Sequence, residues 1–175
     1  MAEPFAQMLS GGRPNSLGRT IEVVDVVLAD PDRFGELFDC YRSANAVVRL
    51  RTSNAMKRVE AARHDLLAPY IDRFIAEIGP LDQASAQWTL AQRFGRLAGG
   101  MRPEQRAGAQ KLMQRNLAGH DDWIVLRASM GTPADRAARD DALKNWLLPH
   151  LHSLAGDGRT TVALRAAKSL KALGA

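Results

Sequence analysis

Three kinds of side chain in this 175-residue sequence have the chemistry for catalysis: four histidines, one cysteine and two pairs of adjacent carboxylates. His150 and His152 stand two apart on an expected helix. They point to different faces and cannot chelate a metal as an i, i+4 pair would. His64 and His120 fall in expected loops beside Asp65 and Asp121, where capping or solvation accounts for them. Cys40 has no charged activating motif beside it and reads as a buried, inert thiol. A single cysteine excludes an intramolecular disulfide framework and a Cys-based zinc site. Asp121-Asp122 and Asp140-Asp141 resemble acid/base pairs, but each precedes an expected helix, where carboxylates satisfy orphan N–H groups. No Gly-x-Ser-x-Gly, phosphate loop, Gly-x-Gly-x-x-Gly or His-Glu-x-x-His occurs. The sequence therefore predicts no catalytic residue, no metal and no cofactor, and leans away from an enzyme.

Binding chemistry is better represented. The net charge is +5, with a balance of −2 over residues 1–87 and +7 over 88–175. Arg93, Arg96, Arg102, Arg106, Lys111 and Arg115 oppose only Glu104, and Arg159, Arg165, Lys168 and Lys171 crowd the last segment. Such asymmetry permits an anionic partner without demanding one. Of three tryptophans, Trp146 falls on a leucine stripe and is expected in the core. Trp123, between Asp122 and Arg127, is expected to be partly exposed. The candidate partner-binding residues are Arg49, Arg51, Trp88, Arg93, Arg96, Trp123, Arg127, Arg165 and Lys168.

The elements that must position these residues are helices throughout. Apolar residues at 3.6-residue spacing predict helical faces at Ile21/Val24/Val27/Leu28, Phe34/Leu37/Phe38/Tyr41 and Val48/Thr52/Ala55/Met56/Val59. The strongest stripe runs from Leu66 to Ile78 and is expected to end at Gly79-Pro80, with Gly79 as C′. Ala84/Trp88/Ala91/Phe94/Leu97, Leu112/Met113/Leu117, Ile124/Val125/Ala128/Met130, Leu143/Trp146/Leu147/Leu151/Leu154 and Val162/Ala166/Leu170/Leu173 continue the rhythm. Thr132 is expected to cap a new turn after Gly131. No segment alternates in the manner of a strand. Residues 1–19, with few apolar side chains to offset backbone entropy, read as a flexible arm unless Phe5–Leu9 packs on a neighbour. Residues 20–175 read as one domain. No apolar run approaches the ~18 residues that span a bilayer, and Met1–Thr20 holds no signal-type apolar core. A cytoplasmic protein without membrane association is expected.

Four junctions repeat an Asn or Asp followed by a small-and-apolar helix: Asn45-Ala-Val-Val-Arg49, Asp82-Gln-Ala-Ser-Ala-Gln-Trp88, Asp122-Trp-Ile-Val-Leu-Arg127 and Asp157-Gly-Arg159-Thr-Thr-Val162-Ala-Leu-Arg165. They lie 37, 40 and 35 residues apart. Leu66-Leu67-Ala-Pro69-Tyr-Ile71 also echoes Trp146-Leu147-Leu148-Pro149-His-Leu151. This pattern resembles the HEAT-repeat family within the armadillo-like superhelices, whose second helices open with Asp-x-x-Val-Arg-x-x-Ala. The resemblance covers roughly residues 31–174. It implies an all-α, right-handed α–α superhelix of about four helix pairs, acting as a non-enzymatic scaffold that binds a protein through its concave face. Trp88, Asp121 or Asp122, Trp123 and Arg127 are also similar in type to residues of the HEAT-like alkylpurine DNA glycosylases. That second resemblance implies nucleic-acid binding through the basic 88–175 half.

Overall fold

The computed structural model describes residues 3–175. Met1 and Ala2, the first residues of the expected arm, lie outside them. The chain is all-helical, and no strand occurs among the described residues. It divides into two compact units, one ending at Thr89 and the other running Leu90–Ala175.

The first unit contains α1 (Phe5–Met8), α2 (Thr20–Ala29), α3 (Phe34–Asp39), α4 (Ala46–Ala62) and α5 (Ile71–Arg73), and the opening of α6 (Ala84–Leu97). Asn45 starts α4 as its sequence predicts, its Oδ1 accepting from Val47 N at 2.9 Å. The α2 and α3 helices pack on α4. Val23, Val24 and Val27 form the buried face of α2, whereas Ile21 is exposed. The expected face was thus rotated by about one residue, because four consecutive positions of this helix are apolar or β-branched and the periodicity alone does not choose among them.

Phe38 anchors an aromatic group, its ring centroid 5.0 Å from Phe74 and 5.1 Å from Tyr70. The Arg73 guanidinium lies 4.3 Å above the Phe38 ring. It also bonds Glu77 and Asp39, and Arg42 reaches Glu77 as well. After α5 the chain widens into a π-helical stretch, Phe74–Ile78, closed by Gly79 N donating to Phe74 O at 2.9 Å. Gly79 keeps a helical φ of −50°. The expected left-handed Gly C′ is therefore absent, since a π turn already satisfies the carbonyl that such a cap would serve.

The N-terminal segment packs on α2 and α3. Phe5 and Leu9 are fully buried, Phe5 N donates to Glu36 Oε1 at 2.7 Å, and Arg33 lies 4.0 Å over the Phe5 ring. Burial of two such side chains contributes about 1.5–3 kcal/mol each, enough to offset the ordering of several residues.

The second unit holds the rest of α6 together with α7 (Pro103–Gly119), α8 (Trp123–Ser129), α9 (Gly131–Ala137), α10 (Asp141–Ala155) and α11 (Thr160–Ala172). Each of α8 and α11 packs on the helix before it, α7 and α10 respectively, and the two also pack on one another. The core between them includes Leu126, Met130, Leu143, Leu147, Leu151, Val162, Ala166 and Leu170. Trp146 is only half-buried at its edge and stacks on His150 with centroids 4.0 Å apart.

Carboxylates do start two of these helices. Asp122 Oδ1 accepts from Ile124 N and Val125 N, and Asp140 Oδ1 accepts from Leu143 N. Two junctions are shifted. Gln83 O, not Asp82, receives the first bonds of α6. Asp157 binds the backbone and guanidinium of Arg159, and α11 opens at Thr160. Thr132 does not cap a new turn either. It lies inside α9, because Met130 stays helical and joins α8 to α9 with almost no loop.

Candidate interaction surface

Arg51 and Arg93, expected at a partner-binding surface, are each 1% exposed and belong to the interior. Arg51 meets the N-terminal segment. Its Nη1 donates to Leu9 O at 2.8 Å and Gly11 O at 2.7 Å, its Nη2 to Arg13 O at 2.9 Å, and its Nε to Ser16 O at 3.1 Å. A guanidinium carries five N–H donors in one plane, which suits a ring of carbonyls in a way a lysine ammonium does not. Gly18 makes this possible. It takes a φ of +52°, and a Cβ there would lie 2.7 Å from Arg51 Cζ.

Arg93 donates to Gln92 Oε1 at 3.2 Å. Arg49 is half-buried and bonds Ser43 O and Gln83 Oε1, tying the start of α4 to the start of α6. Long apolar stems allow arginines to occupy an apparently polar helix position while serving packing, which is why residue type alone placed these three on a surface. Trp88 is half-buried and Arg96 exposed.

The remaining candidates come together in the second unit. Arg127 on α8, and Arg165 on α11, line a concavity of about 280 Å³ with Gln92, Ile124 and Ala128. They also line an adjoining one of about 270 Å³ with Thr161, Leu164 and Lys168. Among the described residues, no hydrogen bond or ion pair engages the side chains of Arg127, Arg165 or Lys168. The acidic groups that precede the two helices are committed elsewhere: Asp122 caps α8, and Asp157 holds Arg159 through both carboxylate oxygens. That pairing holds the Asp157 carboxyl down to about 2.

The surface is not purely cationic. Leu164 is 66% exposed and Trp123, one helical turn before Arg127, is 41% exposed. Leu164 faces away from the Val162/Ala166/Leu170 stripe that α11 buries. Its sequence signal was an apolar residue off the buried face. Thr161, Gln92 and Gly131 gave no signal. Gly131 matters by what it lacks: a Cβ there would stand 2.8 Å from Arg165 Nη2, so the bare Cα leaves room for the guanidinium.

Cys40 is buried in the first unit, and burial together with Glu36 and Asp39 pushes its thiol up to about 12. No cluster of three or more His, Cys, Asp or Glu suited to a metal occurs among the described residues. No described helix is long and apolar enough to cross a membrane. Compared with protein-family models, with curated proteins and with solved structures, the chain matches none.

Proposed function

We propose that this chain is a non-enzymatic helical-repeat module that binds a macromolecular partner, and that α8 and α11 carry the contact. One observation carries the reading. Three cationic side chains that make no internal bonds converge on two adjoining concavities, with exposed Leu164 among them and exposed Trp123 one helical turn before Arg127. A cation kept for folding would be paired, as Arg73 and Arg159 are. A large apolar side chain left 66% exposed costs apolar hydration that a bound partner would remove.

The repeat architecture of HEAT type belongs to the same proposal. Its support is the side-by-side packing of α8 and α11, each backed by the helix before it. In the first unit the tie from Arg49 on α4 to Gln83 at the start of α6 brings two second-helix junctions together in the same way. Stacked helix pairs present extended surfaces suited to macromolecules. The test is comparative capture of partners from the native host by the full chain and by an R127E/K168E variant. The proposal expects a partner lost from the variant, and equal recovery by both would overturn it.

A nucleic-acid reading of the alkylpurine-glycosylase type is favoured by one feature, the exposure of Trp123 a single turn from Arg127. It expects tight binding to duplex DNA with a steep salt dependence, and release of an alkylated base.

A further inference from the structure

We infer that the α8/α11 surface takes an acidic peptide segment with an apolar side chain between its carboxylates; this deepens the function proposed above and rests on it. The charge on the surface selects an anionic partner, because among the described residues no carboxylate pairs with Arg127, Arg165 or Lys168. Leu164 decides which anionic partner. It stands among the cations in the same concavity, at positions i, i+1 and i+4 with Arg165 and Lys168 along α11. A phosphodiester backbone would satisfy the three cations and leave Leu164 against water or against charged oxygen. A peptide alternating acidic and apolar side chains covers both. The guanidiniums can also bind carboxylates bidentately, giving register as well as attraction.

Gln92 adds an amide beside Arg127 and Arg165, able to bond a peptide backbone. Arg165 reaches over the bare Cα of Gly131, so a methyl group there makes the end of the guanidinium shift without altering any charge.

The experiment is fluorescence anisotropy on the full chain with three labelled probes. They are a twelve-residue peptide of Asp, Glu and Leu, the same peptide with Ser replacing Leu, and a duplex DNA of arbitrary sequence. The Leu-containing peptide is expected to bind, with affinity falling as salt rises. Replacing its Leu by Ser, or Leu164→Ser in the protein, is expected to weaken binding about five- to tenfold. K168E is expected to weaken it about three- to tenfold. Gly131→Ala is expected to weaken it with net charge unchanged. Lys168 and Leu164 are exposed, so these variants keep the fold, and circular dichroism checks that they do. Preferential binding of DNA would overturn the peptide assignment and leave the interaction module standing. Peptide binding indifferent to both Leu replacements would overturn it too. Failure of every probe would sink the inference by itself, while the comparative capture decides separately on the broader function.

Discussion

Arg51 shows how one side chain can fold a segment that has little else to hold it. Its guanidinium is buried without a carboxylate and is satisfied by main-chain oxygens of residues 9–16. Charge-assisted bonds of this kind are roughly twice as strong as neutral ones, and a carbonyl left without its donor in a buried place costs about 1–3 kcal/mol. Arg51→Lys should therefore fail to replace it, because a compact ammonium with three donors cannot reach carbonyls spread over eight residues. The expected result is a loss of about 2–4 kcal/mol in denaturant unfolding and rapid cleavage within residues 10–18 by subtilisin in the otherwise native protein. A variant as resistant as the parent would show that Phe5 and Leu9 alone hold the segment.

At the scale of elements, the Arg73–Glu77 pair ties the last residue of α5 to the π-helical stretch, and its partners bind both to α3 and the turn after it. Arg73 bonds Glu77 one turn on, in the π-helical stretch, and Asp39 at the end of α3, while Arg42 reaches Glu77 from the turn that follows. Hydrogen bonding from Arg73, then from Arg42, holds the Glu77 carboxyl down to about 2. A carboxyl depressed in the folded state adds stability above its unfolded value, ~4.3, and loses it as pH falls through the folded one. Thermal midpoints measured between pH 5 and pH 2 should decline for the parent, and less steeply for Glu77→Gln. Because Glu77 is partly exposed, raising the salt concentration should shrink the difference. Parallel declines in the two proteins would show that other carboxylates govern acid sensitivity.

Residues 1–29 tie the N-terminus into the first unit. They supply buried Phe5, Leu9, Val23, Val24 and Val27, and the oxygens that surround Arg51. Deleting them bares the face of α4 on which α2 packs and leaves the Arg51 charge beside apolar surface. Exposed contiguous apolar surface of this kind drives association. The truncated chain is expected to aggregate, read by light scattering and size-exclusion chromatography. A soluble monomer with unchanged unfolding would mean that α2 is an accessory to the fold.

The helical class and most buried faces are legible in the sequence, because a 3.6-residue apolar period leaves an amphipathic segment one face to bury. Phe34, Leu37 and Phe38, or Val162, Ala166 and Leu170, were legible for that reason. Asn45, Asp122 and Asp140 were legible as caps, since capping is a local bond spanning two or three residues. The candidate surface was legible in half: Arg127, Arg165, Lys168 and Trp123 were named by type, while Leu164, Thr161 and Gln92 were not. Only long-range packing places Arg51 and Arg93 in the interior and sets Arg127 and Arg165 on one wall. An arginine reads the same in sequence whether its fork meets carbonyls or water, and what it meets comes from segments far along the chain, 35 to 42 residues away for Arg51.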